Sequence, residues 1–261
     1  GMEMREDMEA LFADPTPGEL AAIRNEWAAR PVDAEGWRVE GTTTLGVFRV
    51  DVVSHVVDGL RHYAAVRYPR DYDPEQSYPV VLKNHGGSGG HGLVSVRSLG
   101  DNMNGNCTER FFVLGATYRG EIMRAGQMGL EEEYQAEGPE PDSPESIASI
   151  LDGDATDVIH LLSGVLTHIP GADPERVGMI GGSRGAGVGF VVAVRDGRIR
   201  RAALNYGAAN HMIAHIYEAA VRYEETGRLV GNPPTRTSLR VAVAPWLDGE
   251  MSFAEARRNL I

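Results

Sequence analysis

A serine framed by glycines carries the clearest chemistry in this chain. Val177-Gly178-Met179-Ile180-Gly181-Gly182-Ser183-Arg184-Gly185-Ala186-Gly187 is an apolar run that halts at Ser183 and resumes as a second apolar segment. Glycines two residues to either side leave room for a sharp turn in strained backbone, the setting of a nucleophile elbow. A serine at such a turn sits at the carboxyl end of a strand and the N-terminus of a helix, where developing negative charge is favoured. The chemistry this implies is attack on a carbonyl carbon.

The same five-residue pattern recurs at Gly86-Gly87-Ser88-Gly89-Gly90, but its surroundings differ. Ser88 follows a strand-like run, Tyr78 to Leu82, and leads into a glycine-rich loop, whereas Ser183 has a strand before it and an apolar helix behind. The segment around Ser88 suits a second role, because Lys83-Asn84-His85-Gly86-Gly87 is a strand end running into a loop whose N–H groups can face an oxyanion. An ordinary flexible loop is the plainer reading.

With the elbow and the His-Gly-Gly loop in this order, the sequence resembles the α/β-hydrolase superfamily, and within it the prolyl-oligopeptidase-like and dienelactone-hydrolase-like serine hydrolases, over roughly residues 45 to 261. That resemblance implies Ser183 as nucleophile and an oxyanion hole formed by the N–H groups of Arg184 and Gly87, with Gly86 the lesser candidate. It implies that His85 shapes the loop and is not the catalytic base. Tyr118-Arg119-Gly120 resembles the Tyr-Arg-Gly or Phe-Arg-Gly that follows the fourth strand in this family.

The elements needed to position these residues can be read from the pattern. Val47 to Val57 and Arg61 to Tyr68 are β-rich and meet at Asp58-Gly59, a hairpin signal. Phe111 to Thr117 and Arg176 to Ile180 read as strands. Residues 184 to 195 are apolar nearly all round, as in a helix buried on every side. Val158, Leu161, Leu162, Val165 and Leu166 repeat at helical spacing behind Asp152, Asp154 and Asp157. Strand and helix continue through Arg201 to Tyr206 and Met212 to Tyr223. The expected fold class is α/β, a mostly parallel doubly wound sheet of α/β-hydrolase type with an antiparallel N-terminal hairpin. Residues 1–40 are expected as an N-terminal helical extension, with a helix opening at Thr16-Pro17-Gly18-Glu19, and residues 41–261 as the hydrolase domain.

The rest of the machinery is harder to place. A serine hydrolase of this type needs an acid and then a histidine after the nucleophile, yet after Ser183 the only histidines are His211 and His215 and the only aspartates are Asp196 and Asp248. Asp196 lies thirteen residues along the helix, about 20 Å away at the usual rise, and cannot orient a base at Ser183. Asp248 follows Val241 to Trp246, which suits a short strand, but the histidines then precede it. The reading preferred here is that residues 232–261 lead toward a seventh strand and that the segment bearing the acid and the base lies beyond this chain, leaving the sheet incomplete at its C-terminal edge. His211 is the candidate substitute base; a hydrogen-bonded loop histidine is the plainer reading, and His215 is taken as structural. An uncovered edge near residues 201 to 206 would invite homo-oligomerisation.

Composition bounds the rest. The chain has 261 residues, 42% hydrophobic and 24% charged, with a net charge of −12. That charge argues against nucleic acid and anionic membranes as partners, and no membrane span or signal segment is apparent. Much of it lies between Glu121 and Glu145, an acidic excursion that reads as a solvated loop or, alternatively, a lid. The single Cys107 precludes an internal disulfide, and a cytoplasmic location is expected. The histidines show no metal spacing, and no cofactor or metal is expected. The expected function is hydrolysis of carboxylic esters, less so of peptide bonds, through an acyl-enzyme on Ser183, with a small-molecule ester or peptide as substrate. The alternative is a catalytically silent hydrolase fold, a fragment or binding module without a complete triad; acyl transfer by the same serine stays open.

Overall fold

The computed structural model describes every residue except 1, 88–90, 101–107, 140–151 and 208–210. In chain order the described elements are α1 (Met2–Phe12), α2 (Pro17–Ala29), β1 (Glu35–Leu45), β2 (Phe48–Val57), β3 (Leu60–Arg67), β4 (Tyr78–Asn84), β5 (His91–Ser95), α3 (Val96–Gly100), β6 (Phe112–Ala116), β7 (Ile122–Arg124) and β8 (Glu133–Gln135). They continue as α4 (Asp152–His168), β9 (Ala172–Gly182), α5 (Arg184–Arg195), β10 (Ile199–Asn205), α6 (His211–Thr226), α7 (Pro233–Ser238), α8 (Ala244–Leu247) and α9 (Phe253–Leu260). Two compact units result, Pro31–Gly207 and a second built from Gly1–Arg30 with Ala208–Ile261.

The larger unit is organised by a seven-stranded sheet of order β1-β2-β3-β6-β4-β9-β10. The β1–β2, β2–β3 and β3–β6 pairs are antiparallel and the remaining pairs parallel, so five strands share one direction and β1 and β3 oppose it. The expected hairpin joins β2 to β3, where Asp58 (φ 51°) and Gly59 (φ 79°) take the left-handed backbone of a type I′ turn. Strand alternation divides the core between two faces. On one, Val80, Leu82, Leu114 and Met179 pack against Leu161 and Leu162 of α4 and Val188 and Val192 of α5. On the other, Val52, Ala65 and Val113 pack against Leu99 of α3 and Met123 and Tyr134. Met123 and Tyr134 belong to a small sheet of order β5-β7-β8, which packs on this face.

Several expectations change. Helix α5 spans the expected residues, yet Phe190 and Val194 are 48% and 64% exposed, so it is not buried on every side. Strand β10, by contrast, ends the sheet at the edge expected near residues 201 to 206 and is largely exposed. The acidic stretch after Glu121 is not a plain loop: β7 and β8 pair antiparallel within it, and Glu121 itself is 3% exposed. Its residues 140–145 lie outside the described residues.

The division of the chain also differs from an extension over 1–40 and a domain over 41–261. Residues 1–30 pack with the C-terminal residues because Met8 and Leu11 of α1 share a core with Ile216, Leu239, Val243 and Ala256. Arg257 reinforces this, donating to Leu11 O (2.8 Å), Ala13 O (2.6 Å) and Glu19 Oε1 (2.8 Å). The α2 capping box is present, with Thr16 and Glu19 bonded reciprocally. Val241 to Trp246 is helical rather than a strand, entering α8 through a π-helical turn over Leu239–Val243. Leu239, Ala242 and Val243 stand three and four residues apart and face one core, a spacing a helix satisfies and a strand does not.

Candidate active site

Strand β9 carries the chain to Ser183 at its carboxyl end, and α5 begins at the next residue. Ser183 holds φ 54° and ψ −122°, a corner conformation ordinarily given to glycine. Its backbone is tied on both sides: the N–H donates to Asn205 O (3.0 Å), and its carbonyl accepts from Ala186 (3.0 Å) and Gly187 (3.2 Å). The side chain makes no capping hydrogen bond, and the residue is exposed. The flanking glycines are explained by contact. A Cβ on Gly181 would strike the Gly185 carbonyl, and one on Gly185 the Asn84 and His85 carbonyls.

The loop after β4 lies directly against this turn. A Cβ built on Gly86 would stand 2.7 Å from Gly182 O and 3.3 Å from the Ser183 Cβ. Gly87 has φ +84°. The N–H of Arg184 belongs to the first turn of α5, where helices have no internal acceptor.

Behind these two segments lies a buried cluster of charge. The His85 ring stacks on Tyr118, centroids 4.1 Å apart. Its Nδ1 lies 3.0 Å from Gly86 O, and its Nε2 lies 2.8 Å from Glu121 Oε2, off the line of a straight hydrogen bond. Glu121 also accepts from the Tyr118 N–H (3.0 Å) and pairs with Arg184 Nη1 (3.2 Å). Arg184 extends over the Tyr118 ring (4.8 Å), pairs with Asp154 (2.8 Å) and donates to Gly87 O (3.3 Å). Burial pushes Glu121 upward, but His85, the Tyr118 N–H and Arg184 outweigh it and hold the carboxyl below the usual range. Burial dominates at Asp154, raising it to about 6 against the attraction of Arg184.

The other sequence candidates are divided between the two units. His211 opens α6 in the smaller unit, and its side chain lies outside the described residues. His215, in the same helix, lines a cleft with Glu218, Arg222, Asn232 and Thr235. Asp248 accepts from Tyr223 Oη (2.8 Å), and Asp196 caps the far end of α5 and pairs with Arg198 (2.6 Å). In the larger unit His160 faces the Asp33 and Pro31 carbonyls (2.8 and 3.0 Å), His168 stacks on Trp37, and His55 and His62 are buried. Ser88, Cys107 and the His91 side chain lie outside the described residues. Sequence reasoning missed Glu121 and Asp154 as parts of the site. Among the described residues no His, Cys, Asp and Glu group could hold a metal ion, and no helix is long and apolar enough to cross a membrane.

Two of the solved structures that match share the fold. An acetyl xylan esterase from Thermoanaerobacterium aligns with a TM-score of 0.54 and 16% identity over 95% of this chain and 78% of its own. A second, from Paenibacillus, aligns with a TM-score of 0.55 and 16% identity over 95% of this chain and 74% of its own. The chain has the α/β-hydrolase fold. Within that fold β4, β6, β9 and β10 are the parallel strands, and the segments carrying His85 and Ser183 leave β4 and β9 side by side. No protein-family model and no curated protein sequence matches the chain.

Proposed function

We propose that the chain is a serine hydrolase of carboxylic esters, less so of peptide bonds, with Ser183 as nucleophile and the N–H groups of Arg184 and Gly87 as oxyanion hole; Gly86 contributes close packing. The observation that carries this reading is the glycine-like backbone of an exposed serine, Ser183, at a strand-to-helix corner against which Gly86 is packed. Ser183 Oγ bonds to the ester carbonyl carbon while its proton passes to a general base, and the two N–H groups hold the tetrahedral oxyanion. Collapse expels the alcohol, which takes the proton back, and water then releases the acid from the acyl-enzyme.

The described residues assign no base to Ser183, and His211, the substitute candidate in the sequence, is the first to replace. The described histidine rings of the larger unit are engaged elsewhere: His85 faces two acceptors, His160 two carbonyls, His168 stacks on Trp37, and His55 and His62 lie in the core. Acetyl esters are the substrates to try first, since two structures of this fold are acetyl xylan esterases. Hydrolysis of a short aryl acetate by the parent, abolished in Ser183→Ala, is the expected result. These engagements favour a second reading, a silent hydrolase fold without a complete triad that binds without turnover. Ser183-dependent hydrolysis rejects it, and its absence from a folded parent rejects the first.

A further inference from the structure

We propose that Glu121 is a positioning residue for both oxyanion donors at once, an inference that rests on the reading of Ser183, Arg184 and Gly87 given above. The argument begins with one peptide plane. The N–H of Gly87 belongs to the same planar unit as the Gly86 carbonyl, and in a trans peptide the two point in opposite directions. His85 Nδ1 sits 3.0 Å from that carbonyl oxygen, so the imidazole fixes the direction in which the Gly87 N–H points. The Gly86 carbonyl and the Glu121 carboxylate both only accept, so each ring nitrogen carries a hydrogen when both contacts are made.

The imidazole is itself held. It stacks on Tyr118 at 4.1 Å and presents Nε2 to Glu121 Oε2 at 2.8 Å. The other oxygen of the same carboxylate, Oε1, lies 3.2 Å from Arg184 Nη1, and Arg184 supplies the second donor through its backbone N–H. The arginine also reaches the Gly87 carbonyl at 3.3 Å. One carboxylate, its side chain 4% exposed, thus ties the loop after β4 to the turn after β9. Glu121 is anchored in turn by the Tyr118 N–H at 3.0 Å. Neither half of the hole then depends on loop packing alone, which is what oxyanion stabilisation requires, since donors misdirected by fractions of an ångström lose most of their effect.

The test compares the parent, Ser183→Ala, Glu121→Gln and His85→Phe on an aryl acetate and with a trifluoromethyl ketone, whose serine adduct carries the tetrahedral oxyanion. In Glu121→Gln, kcat is expected to fall about 10- to 100-fold, within the loss of 10²–10³ for removing one donor outright. KM should stay within about twofold, since the interaction acts in the transition state. Affinity for the ketone should fall in parallel with kcat, a signature that a general loss of folded protein does not give. His85→Phe keeps the stack on Tyr118 and breaks both polar contacts; it is expected to show the same loss, and to carry the test should Glu121→Gln not fold by circular dichroism. Unchanged kcat and ketone affinity in a folded Glu121→Gln, or failing that in His85→Phe, overturns the proposal. A folded parent without Ser183-dependent turnover removes the reading of the site, and this proposal with it.

Discussion

Replacing Ser183 by glycine should make the protein more stable than replacing it by alanine, and the difference measures the strain of the elbow. Ser183 occupies φ 54° and ψ −122°, and a non-glycine residue held in such a region costs roughly 1–3 kcal/mol. Alanine keeps that cost, because it too carries a Cβ. Glycine removes it but widens the unfolded ensemble, a penalty of roughly 0.4–1 kcal/mol. Both variants lose the same exposed hydroxyl, so packing and hydrogen bonding cancel between them. The net advantage of glycine is on the order of 1 kcal/mol, and for a unit of this size each such increment moves the thermal midpoint by about 2–4 °C. The assay is calorimetry or urea denaturation of the two variants side by side. The corner cannot relax on its own, since its N–H is tied to Asn205 and its carbonyl to Ala186 and Gly187. A glycine variant no more stable than the alanine variant would refute the idea that the site stores backbone strain.

Other outcomes follow from the same contacts. Gly185→Ala should destabilise the protein by about 1–3 kcal/mol in denaturant titration, because the added Cβ meets the Asn84 and His85 carbonyls. Gly86→Ala should suppress ester turnover by at least about 10²-fold while the fold survives by circular dichroism, since its Cβ would press on the Ser183 turn. Acid should weaken the fold through His55 and His62, which pair across β2 and β3 and which burial lowers to about 3. A lowered histidine supports folding above its unfolded value of about 6.5, and that support is lost as pH falls toward 3, on the order of 2 kcal/mol each between pH 7 and 5. Asp154 and Asp157, raised to about 6 chiefly by burial, work the other way, and each regains on the order of 1 kcal/mol over the same interval. Urea titrations at the two pH values should therefore show a net loss, and His55→Phe with His62→Phe should abolish it. A doubly substituted protein with the parent's pH dependence would contradict this assignment. Arg119→Met should cost about 3–5 kcal/mol, because it strands the buried Asp157 that Arg119 holds at 2.9 Å.

What the sequence made legible is what local rules control. Gly181 and Gly185 mark the elbow because a Cβ at either position strikes neighbouring backbone, and Asp58-Gly59 marks the hairpin because both residues need positive φ. What it hid depends on distant segments. Glu121 belongs by composition to an acidic stretch, and nothing nearby shows that its partners are His85 and Arg184, the latter 63 residues on. Val241 to Trp246 is short and apolar enough for a strand, and only its packing against α1 and α6 decides for a helix. Arg257 likewise gives no sign in the sequence that it holds the carbonyls of Leu11 and Ala13. The apolar run of α5 suggested complete burial, but β10 ends the sheet beside it and Phe190 and Val194 remain exposed.

The central claim is that Ser183 is an activated nucleophile, and covalent labelling tests it most directly. The folded protein would be treated with a fluorophosphonate and its intact mass recorded beside that of Ser183→Ala. A single phosphonyl adduct on the parent and none on the variant is the expected result, and loss of labelling in His211→Ala would then identify the base. A folded parent that takes up no phosphonate, or a Ser183→Ala variant labelled equally well, would contradict the account.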